Sequence, residues 1–427
     1  MLIKRISDSL SCAEVRSMVK HNQEDNIMKI QLSAEKEIFS IVIGGDVCPG
    51  SDGAAVMDAG KGAEVMRAVK DFVESGDVRM VQWETPLTDH PAPILKSGPN
   101  LNSRTDTLEI VKSAGFNVAL LANNHTGDHG AAAVLETLEK IHRAGLQTVG
   151  AGRNLEEADK PLILNVKGKK LAVFNWAENE FGCAGRHTPG AAPQRVIPDL
   201  AAVRAAADRY DAVIVTLHGG HEHNPFPSPR MVELCRVFAD AGAKMVFNCH
   251  THCPEAVENY HGVPIVYCPG NFYFPHAYSE NFWFTGYLVR CGFGENGACS
   301  LELLAYTFDN EKVTPLDADG QARFEEYMKK LAAPLNDPEK LQSLFEAWST
   351  QSGKGYYCSV MSTTPDTSWI NQITDPEVRK RVMPLRNIFT CESHNDMLKC
   401  WLRLAEEQRF EKAAAGFAEI QELQKGF

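Results

Sequence analysis

The segment Phe39-Ser40-Ile41-Val42-Ile43-Gly44-Gly45-Asp46 sets the reading of the whole chain. A short apolar run of this kind, closed by Gly and a polar residue, predicts a buried strand that delivers a carboxylate at its end. The same figure recurs downstream. Val78–Trp83 leads into Glu84, and 117–121 leads into Ala122-Asn123-Asn124-His125. Residues 212–217 lead into His218, and 244–248 into Cys249-His250-Thr251-His252. Helical patterns fall between these runs, at 62–74, 105–114, 131–144, 200–209 and 229–241, with further strands near 146–149, 162–166 and 171–175. From 263 to 308 strand-like runs succeed one another without helices. Alternation and then consecutive strands predict an α/β fold with two packed sheets flanked by helices, not one open parallel sheet.

Outward from this region, residues 1–38 read as a polar lead-in with one short helix near 12–20. Residues 39–310 read as the main domain, and 320–427 as a helical C-terminal region. The apolar positions Leu398, Trp401, Leu402, Ala405, Phe410, Ala413, Ala414 and Phe417 make a helical stripe with one break. As a class, such a region serves most simply as a packing appendage or dimer surface. Together with a Gly/Pro-rich insertion at 178–198, it is also expected to shape the pocket.

Composition sets outer bounds. The chain has 427 residues, 44% of them apolar and 23% charged, which is ordinary for a globular protein. A formal net charge of -12 argues against nucleic acid or an anionic membrane as the main partner. A small anionic or polymeric substrate stays open, because bound cations reverse the local field. No run of eighteen apolar residues predicts a membrane span. The twelve cysteines show no CxxC pair, which predicts reduced thiols and a cytoplasmic location.

The chemistry lies at the strand ends. Successive strands bring their next residues to one sheet edge. Asp46, Glu84, Asn124, His125, His218, His250 and His252 are therefore expected to converge there. Carboxylates, an amide and imidazoles together are a donor set for two divalent ions. The two rings of His250-Thr251-His252 share a face on a regular strand, or address one ion each from a loop.

Six blocks carry a resemblance. They are Ile43-Gly44-Gly45-Asp46, Trp83-Glu84-Thr85-Pro86-Leu87, Leu121 through Gly130, Leu217-His218-Gly219-Gly220-His221-Glu222, Cys249-His250-Thr251-His252 and Tyr267-Cys268-Pro269-Gly270-Asn271-Phe272. In order and spacing they resemble the CapA capsule-synthesis (poly-gamma-glutamate synthesis) family, which is related to calcineurin-like metallophosphoesterases. The resemblance implies a sandwich of two mixed sheets covered by helices. It also implies two divalent ions (Mn, Fe or Zn), with Asp46 and His252 on the first, Glu84 bridging, and Asn124, His218 and His250 on the second. His125 would be the general acid, with Asp128 orienting it.

The phosphoesterases usually carry a His two residues after the first Asp, and Cys48 stands there, either as a replacement ligand or as a bystander. Glu222 sits where the family often carries an acid. His221 and His223 are either site residues or members of a polar loop. Arg104 is either an anion-binding fork or a helix-start surface residue, and Asn271 is either a site residue or a turn-former. The expected function is phosphoester hydrolysis by metal-activated water. Two alternatives stand beside it: gamma-glutamyl amide hydrolysis or transfer at the same site, and a non-catalytic, metal-containing accessory or polymer-binding role.

Overall fold

The computed structural model describes residues 27–275, 281–361 and 374–427. The helix expected near 12–20 lies outside the described residues. In chain order the strands of the first half are β1 (Met28–Gln31), β2 (Phe39–Val47), β3 (Val78–Trp83), β4 (Val118–Leu120), β5 (Gln147–Val149), β6 (Ala151–Gly152), β7 (Leu162–Val166), β8 (Lys169–Ala177) and β9 (Gly190–Ala191). Those of the second half are β10 (Ala212–His218), β11 (Met245–Cys249), β12 (Val257–Tyr260), β13 (Val263–Val266), β14 (Asn271–Tyr273), β15 (Thr285–Phe293), β16 (Ala298–Phe308) and β17 (Val313–Pro315).

Two large mixed sheets result. The first runs β1-β16-β15-β2-β3-β4-β5, with β14 added beside β2 and β17 beside β16; the second runs β12-β13-β11-β10-β8-β7. Within the first, β2 through β5 are parallel, while β15, β16 and β1 run antiparallel. Within the second, β8, β10, β11 and β13 are parallel. The parallel strands of both sheets end toward the same region, which is what the polar strand ends required.

Side-chain alternation sorts the core. Ile41, Ile43, Met80 and Leu120 join residues of the second sheet in one apolar cluster, whereas Val42, Val81, Ala119 and Leu121 pack on the other face with Val65, Ile110 and Val111. The expected sandwich of two mixed sheets flanked by helices, with a helical C-terminal region, is the observed architecture.

Several local expectations need correction. The lead-in 1–38 contains β1, whose Met28–Gln31 pairs with 300–303 of β16. Helix Gly50–Asp58 was not expected, since Gly50 and Gly53 lower helix propensity. The predicted helix 62–74 divides into two 3-10 turns and the α-helix Lys70–Glu74. The helix placed at 200–209 starts earlier and spans Val196–Ala207, because Pro198 is tolerated in a first turn. It therefore takes the end of the expected insertion 178–198, which also contains β9. A 3-10 turn, Asn281–Phe284, interrupts the run of strands after 263. The C-terminal stripe breaks twice, into Glu392–Glu406, Phe410–Ala414 and Phe417–Leu423.

Candidate metal centre

One irregularity aims the first carboxylate. The pairing of β2 with β3 shifts between Gly44 and Asp46, so Gly45 is an extra residue. A bulge of this kind reverses the facing of the residues after it. Val47 accordingly packs with the helix-side cluster, as Val42 does, and Asp46 turns toward the inter-sheet side. Only glycine fits at the bulge, because a Cβ on Gly45 would lie 2.0 Å from the Gly270 carbonyl oxygen. Asp46 is wholly buried and accepts a hydrogen bond from the His250 backbone N–H at 3.1 Å, across the two sheets.

The remaining strand ends arrive around it. His218 Nε2 lies 3.0 Å from Asn124 Oδ1, 3.1 Å from His250 Nδ1 and 3.3 Å from Glu84 Oε1. A single ring nitrogen cannot satisfy three such neighbours by one hydrogen bond. Bonds of ~2.0–2.2 Å to one divalent ion place adjacent donor atoms roughly 3.0–3.5 Å apart, which is the spacing found here. On the other side, His252 Nδ1 and His218 Nδ1 each stand 3.8 Å from an Asp46 oxygen.

Glu84, His218 and His250 form one candidate metal-binding group, and Asp46, Glu84 and His252 another. Glu84 belongs to both. The backbone is strained where the two rings project, with φ of 108° at His250 and 58° at His252.

Burial decides the charges. It pushes the Asp46 carboxyl up to about 8, with Glu84 adding to the effect, and pushes Glu84 well above the ordinary range. It holds His218 down to about 4 and His250 to about 3, and drives His252 well below the usual imidazole value. Both Glu84 oxygens, Asp46 Oδ1 and His218 Nδ1 are buried with no hydrogen-bond partner. Buried polar atoms without partners are costly. Neutral imidazoles facing unpartnered carboxylate oxygens fit a divalent cation, and these residues fit the group that the resemblance implies.

Beside this cluster stands a proton-handling set. His125 Nδ1 is 2.7 Å from Asp128 Oδ2, and Lys96 contacts both Asp128 Oδ1 and, at 3.3 Å, His125 Nδ1. Asp128 is further held by the Leu101 N–H at 2.6 Å, so the loop around Lys96 is pinned onto it. Burial lowers the His125 pKa, Asp128 opposes that, and Lys96 adds to the lowering. A cavity of about 400 Å³ opens here, lined by Lys96, Asn124, His125, Glu180, Glu222, Tyr356, Asn387 and His394.

The other sequence candidates fall into place individually. Cys48 is buried among the helix-side apolar residues, and among the described residues it joins neither metal-binding group. The Arg104 guanidinium is taken up by Asp58 and Asp106 at 2.8 and 2.6 Å on the surface, and it does not line the cavity. Its reading as an anion-binding fork is thereby corrected to the surface one. His221 Nε2 meets the Ser393 carbonyl at 2.9 Å and packs on Phe345, which is a positioning contact with the C-terminal helices.

Glu222 lies at the exposed rim of the cavity, where desolvation and then the nearby Glu180 carboxylate raise its carboxyl. His223 packs near His252 and Phe282. Asn271 is fully buried beside Asp46 on the paired β14, and its Oδ1 meets His252 Nδ1 at 2.9 Å. Asn271 Nδ2 donates to the Trp283 carbonyl, so Oδ1 faces the ring. That contact places the proton on Nδ1 and leaves Nε2 as the donor to a metal. Asn271 thus holds a candidate ligand and does not face the cavity.

Sequence reading missed Lys96, Glu178, Glu180, Tyr356, Asn387 and His394. The two glutamates were findable, because Glu178 and Glu180 come after an apolar strand just as His218 does. The Glu178 carboxylate receives Arg230 and the Ser393 hydroxyl (2.9 Å), and Asn387 donates to Glu180 at 3.0 Å. The C-terminal helices therefore supply one wall of the cavity as well as packing surface. Among the described residues no helix is long and apolar enough to cross a membrane, and the eleven described cysteines are all unpaired.

The chain is similar in sequence to several known proteins. The chain is 27% identical over 291 residues to the capsule biosynthesis protein CapA of Bacillus anthracis, covering 66% of this chain and 70% of that one. It is 26% identical over 289 residues to the PGA biosynthesis protein CapA of Bacillus subtilis, covering 66% and 75%. A protein of Mycobacterium tuberculosis H37Rv, named a "Probable polyglutamine synthesis accessory protein", is 28% identical over 208 residues, 46% of this chain and 55% of that one. The sequence model of the family described as bacterial capsule synthesis protein PGA_cap matches residues 40–276, more than half of the chain and all of the strand ends above, and the chain belongs to that family.

Proposed function

We propose that the chain is a divalent-metal-dependent hydrolase that cleaves a phosphoester, as the metallophosphoesterases do, with His125 as general acid. The observation that carries this reading is the sharing of Glu84 by two donor groups immediately beside the His125–Asp128–Lys96 set. Asp46 and His252 would hold one ion, Asn124, His218 and His250 the other, and Glu84 both. Mn, Fe and Zn all suit such donors. Bound cations supply Lewis acidity and make water acidic enough to attack at neutral pH. The chain's own part is proton transfer and positioning. Asp128 fixes the His125 ring through Nδ1, which leaves Nε2 to protonate the departing oxygen. Lys96 holds the Asp128 carboxylate in place and offers positive charge at the cavity wall.

The relatives' names favour two further readings. Those of the Bacillus proteins favour a γ-glutamyl amide as substrate of the same residues. A departing amine needs the His125 proton even more than an alkoxide does. The name of the mycobacterial protein favours an accessory role without turnover.

Elemental analysis of the purified protein, with an aryl phosphate and a γ-glutamyl anilide as substrates, separates the three. The proposal expects about two ions per chain at this centre and phosphate-ester hydrolysis, both reduced in His250→Ala. Anilide cleavage alone would select the amide. Metal without either activity would select the accessory role, and no uptake of Mn²⁺ or Zn²⁺ would overturn the metal-centre reading itself.

A further inference from the structure

We propose that Glu180, Cys391 and His394 form an additional metal site, and that it takes a cation of the zinc class. This site does not depend on the hydrolase reading. The donor atoms of the three side chains lie within 4.8 Å of one another. They come from two distant parts of the chain. Glu180 comes after β8, whereas Cys391 and His394 sit at the junction of helices Pro376–Thr390 and Glu392–Glu406. Cys391 and His394 also lie outside the residues that the family model matches, so the family likeness does not account for the site.

Three observations point to a ligand. His394 Nδ1 is buried and has no hydrogen-bond partner. Cys391 is 1% exposed in a polar setting, its sulfur 3.5 Å from Glu178 Oε2. Glu180 keeps only Oε2 on Asn387, while Oε1 stands 3.9 Å from His250 Nε2. A buried thiol is most often set among apolar groups, yet this one faces a carboxylate and stands near an imidazole. One sulfur, one nitrogen and one oxygen donor form a set that favours Zn²⁺. On binding, the thiol proton passes to water and the thiolate takes its place as ligand.

The junction is already docked. Glu392 accepts from the backbone and side-chain N–H groups of Asn179 at 2.9 and 2.6 Å, and Ser393 N–H donates to Glu178 at 3.2 Å. A cation here would fasten the C-terminal helices to the loop after β8. Because His394 and Glu180 also line the cavity, the ion would fix its outer wall.

Cobalt distinguishes this site from the paired groups, which contain no sulfur. The full chain is stripped with chelator and titrated with Co²⁺. The expected result is a thiolate-to-cobalt charge-transfer band in the near ultraviolet. The band disappears in Cys391→Ser and falls sharply in both His394→Ala and His394→Gln, each checked for retained fold by circular dichroism. It survives in His250→Ala, so failure of the paired centre and failure of this site read differently. Zinc content drops by one equivalent in Cys391→Ser. No band in the wild type overturns the proposal, as does a band that persists in Cys391→Ser or is lost instead in Cys48→Ser.

Discussion

His125 and Asp128 are three residues apart in sequence and 2.7 Å apart in space, and Lys96 closes on the carboxylate from the opposite side. A carboxylate that both orients an imidazole and answers a buried ammonium is sensitive to loss of charge. Asp128→Asn retains the shape but presents an amide where the ring expects an acceptor. Under the hydrolase reading, turnover should fall by about 10²–10⁴-fold, the usual worth of a general acid. Metal content should stay at the wild-type level. Elemental analysis alongside initial rates checks both, and a loss of metal together with rate would count against a purely proton-handling role.

Lys96 should behave differently from Asp128. Its ammonium is nearly buried, with a side chain only 3% exposed. Lys96→Met leaves the Asp128 charge buried without its partner, a change that costs roughly 3–5 kcal/mol in comparable pairs. Thermal denaturation should show that loss with metal bound or absent. An unchanged melting temperature would mean that the pair is more solvated than its geometry indicates.

The legibility of this site depends on where its constraints arise. Asp46, Glu84, His218 and His250 could be read because each interrupts an apolar run, and a strand end is a local feature. The bulge at Gly45 was not legible as such. Simple alternation would point Asp46 to the helix side with Val42, and only the register of β2 against β3 reveals the turn. Lys96 sits in a loop rich in proline and glycine, where no periodicity marks a position. Its place is set by Asp128, thirty-two residues away in sequence. Tyr356, Asn387 and His394 owe their roles to the docking of helices, which no helical stripe specifies. Spacing from Asp46 alone left Cys48 open between ligand and bystander, and the fold sets it in the apolar cluster with Val47, Trp83 and Leu87.

Removal of metal should make stability fall with pH on the alkaline side of the imidazole range. The folded state holds the Asp46 proton up to about 8, against about 3.9 for an unperturbed Asp. Between those values this carboxyl holds its proton only in the folded state, which lowers stability as pH rises, whereas below about 6.5 the buried neutral His218, His250 and His252 act in the opposite sense. Above the imidazole range, from about pH 7 to pH 8, the chelated protein should melt progressively lower, and added Mn²⁺ or Zn²⁺ should flatten that slope. Calorimetry across the range checks it. A rising melting temperature in chelator would contradict the buried, unpartnered carboxylates.

Glu178 carries the opposite sign. Burial raises its carboxyl, but Arg230 and Ser393 more than offset this and hold it down to about 2. Its contribution to stability is full above the unfolded value near 4.3 and is lost as pH falls toward 2, on the order of 2–3 kcal/mol. In Glu178→Gln the protein should be destabilised at pH 7 and should lose much of its extra sensitivity to acid in that window. Urea titrations at pH 7 and about pH 3 make the comparison, and an acid limb identical to wild type would refute the assignment.

Asn271 offers a test of ligand orientation free of any change in the ligands. Its amide is fixed by donation to Trp283 and accepts from His252 Nδ1. Asn271→Leu is close in size and removes both contacts without touching a donor atom. The His252 ring then loses the acceptor that sets its tautomer. Outer partners of this kind are typically worth about 10–100-fold in metal affinity. Under the proposed two-ion reading, competition with a chromogenic chelator should show weakening of that order for the ion that Asp46 and His252 would hold, while the one that His218 and His250 would hold is retained. Equal weakening of both would mean that Glu84 transmits the disturbance across the centre, and no weakening would show that the packing of His252 against Trp283, with ring centroids 4.7 Å apart, suffices to orient it.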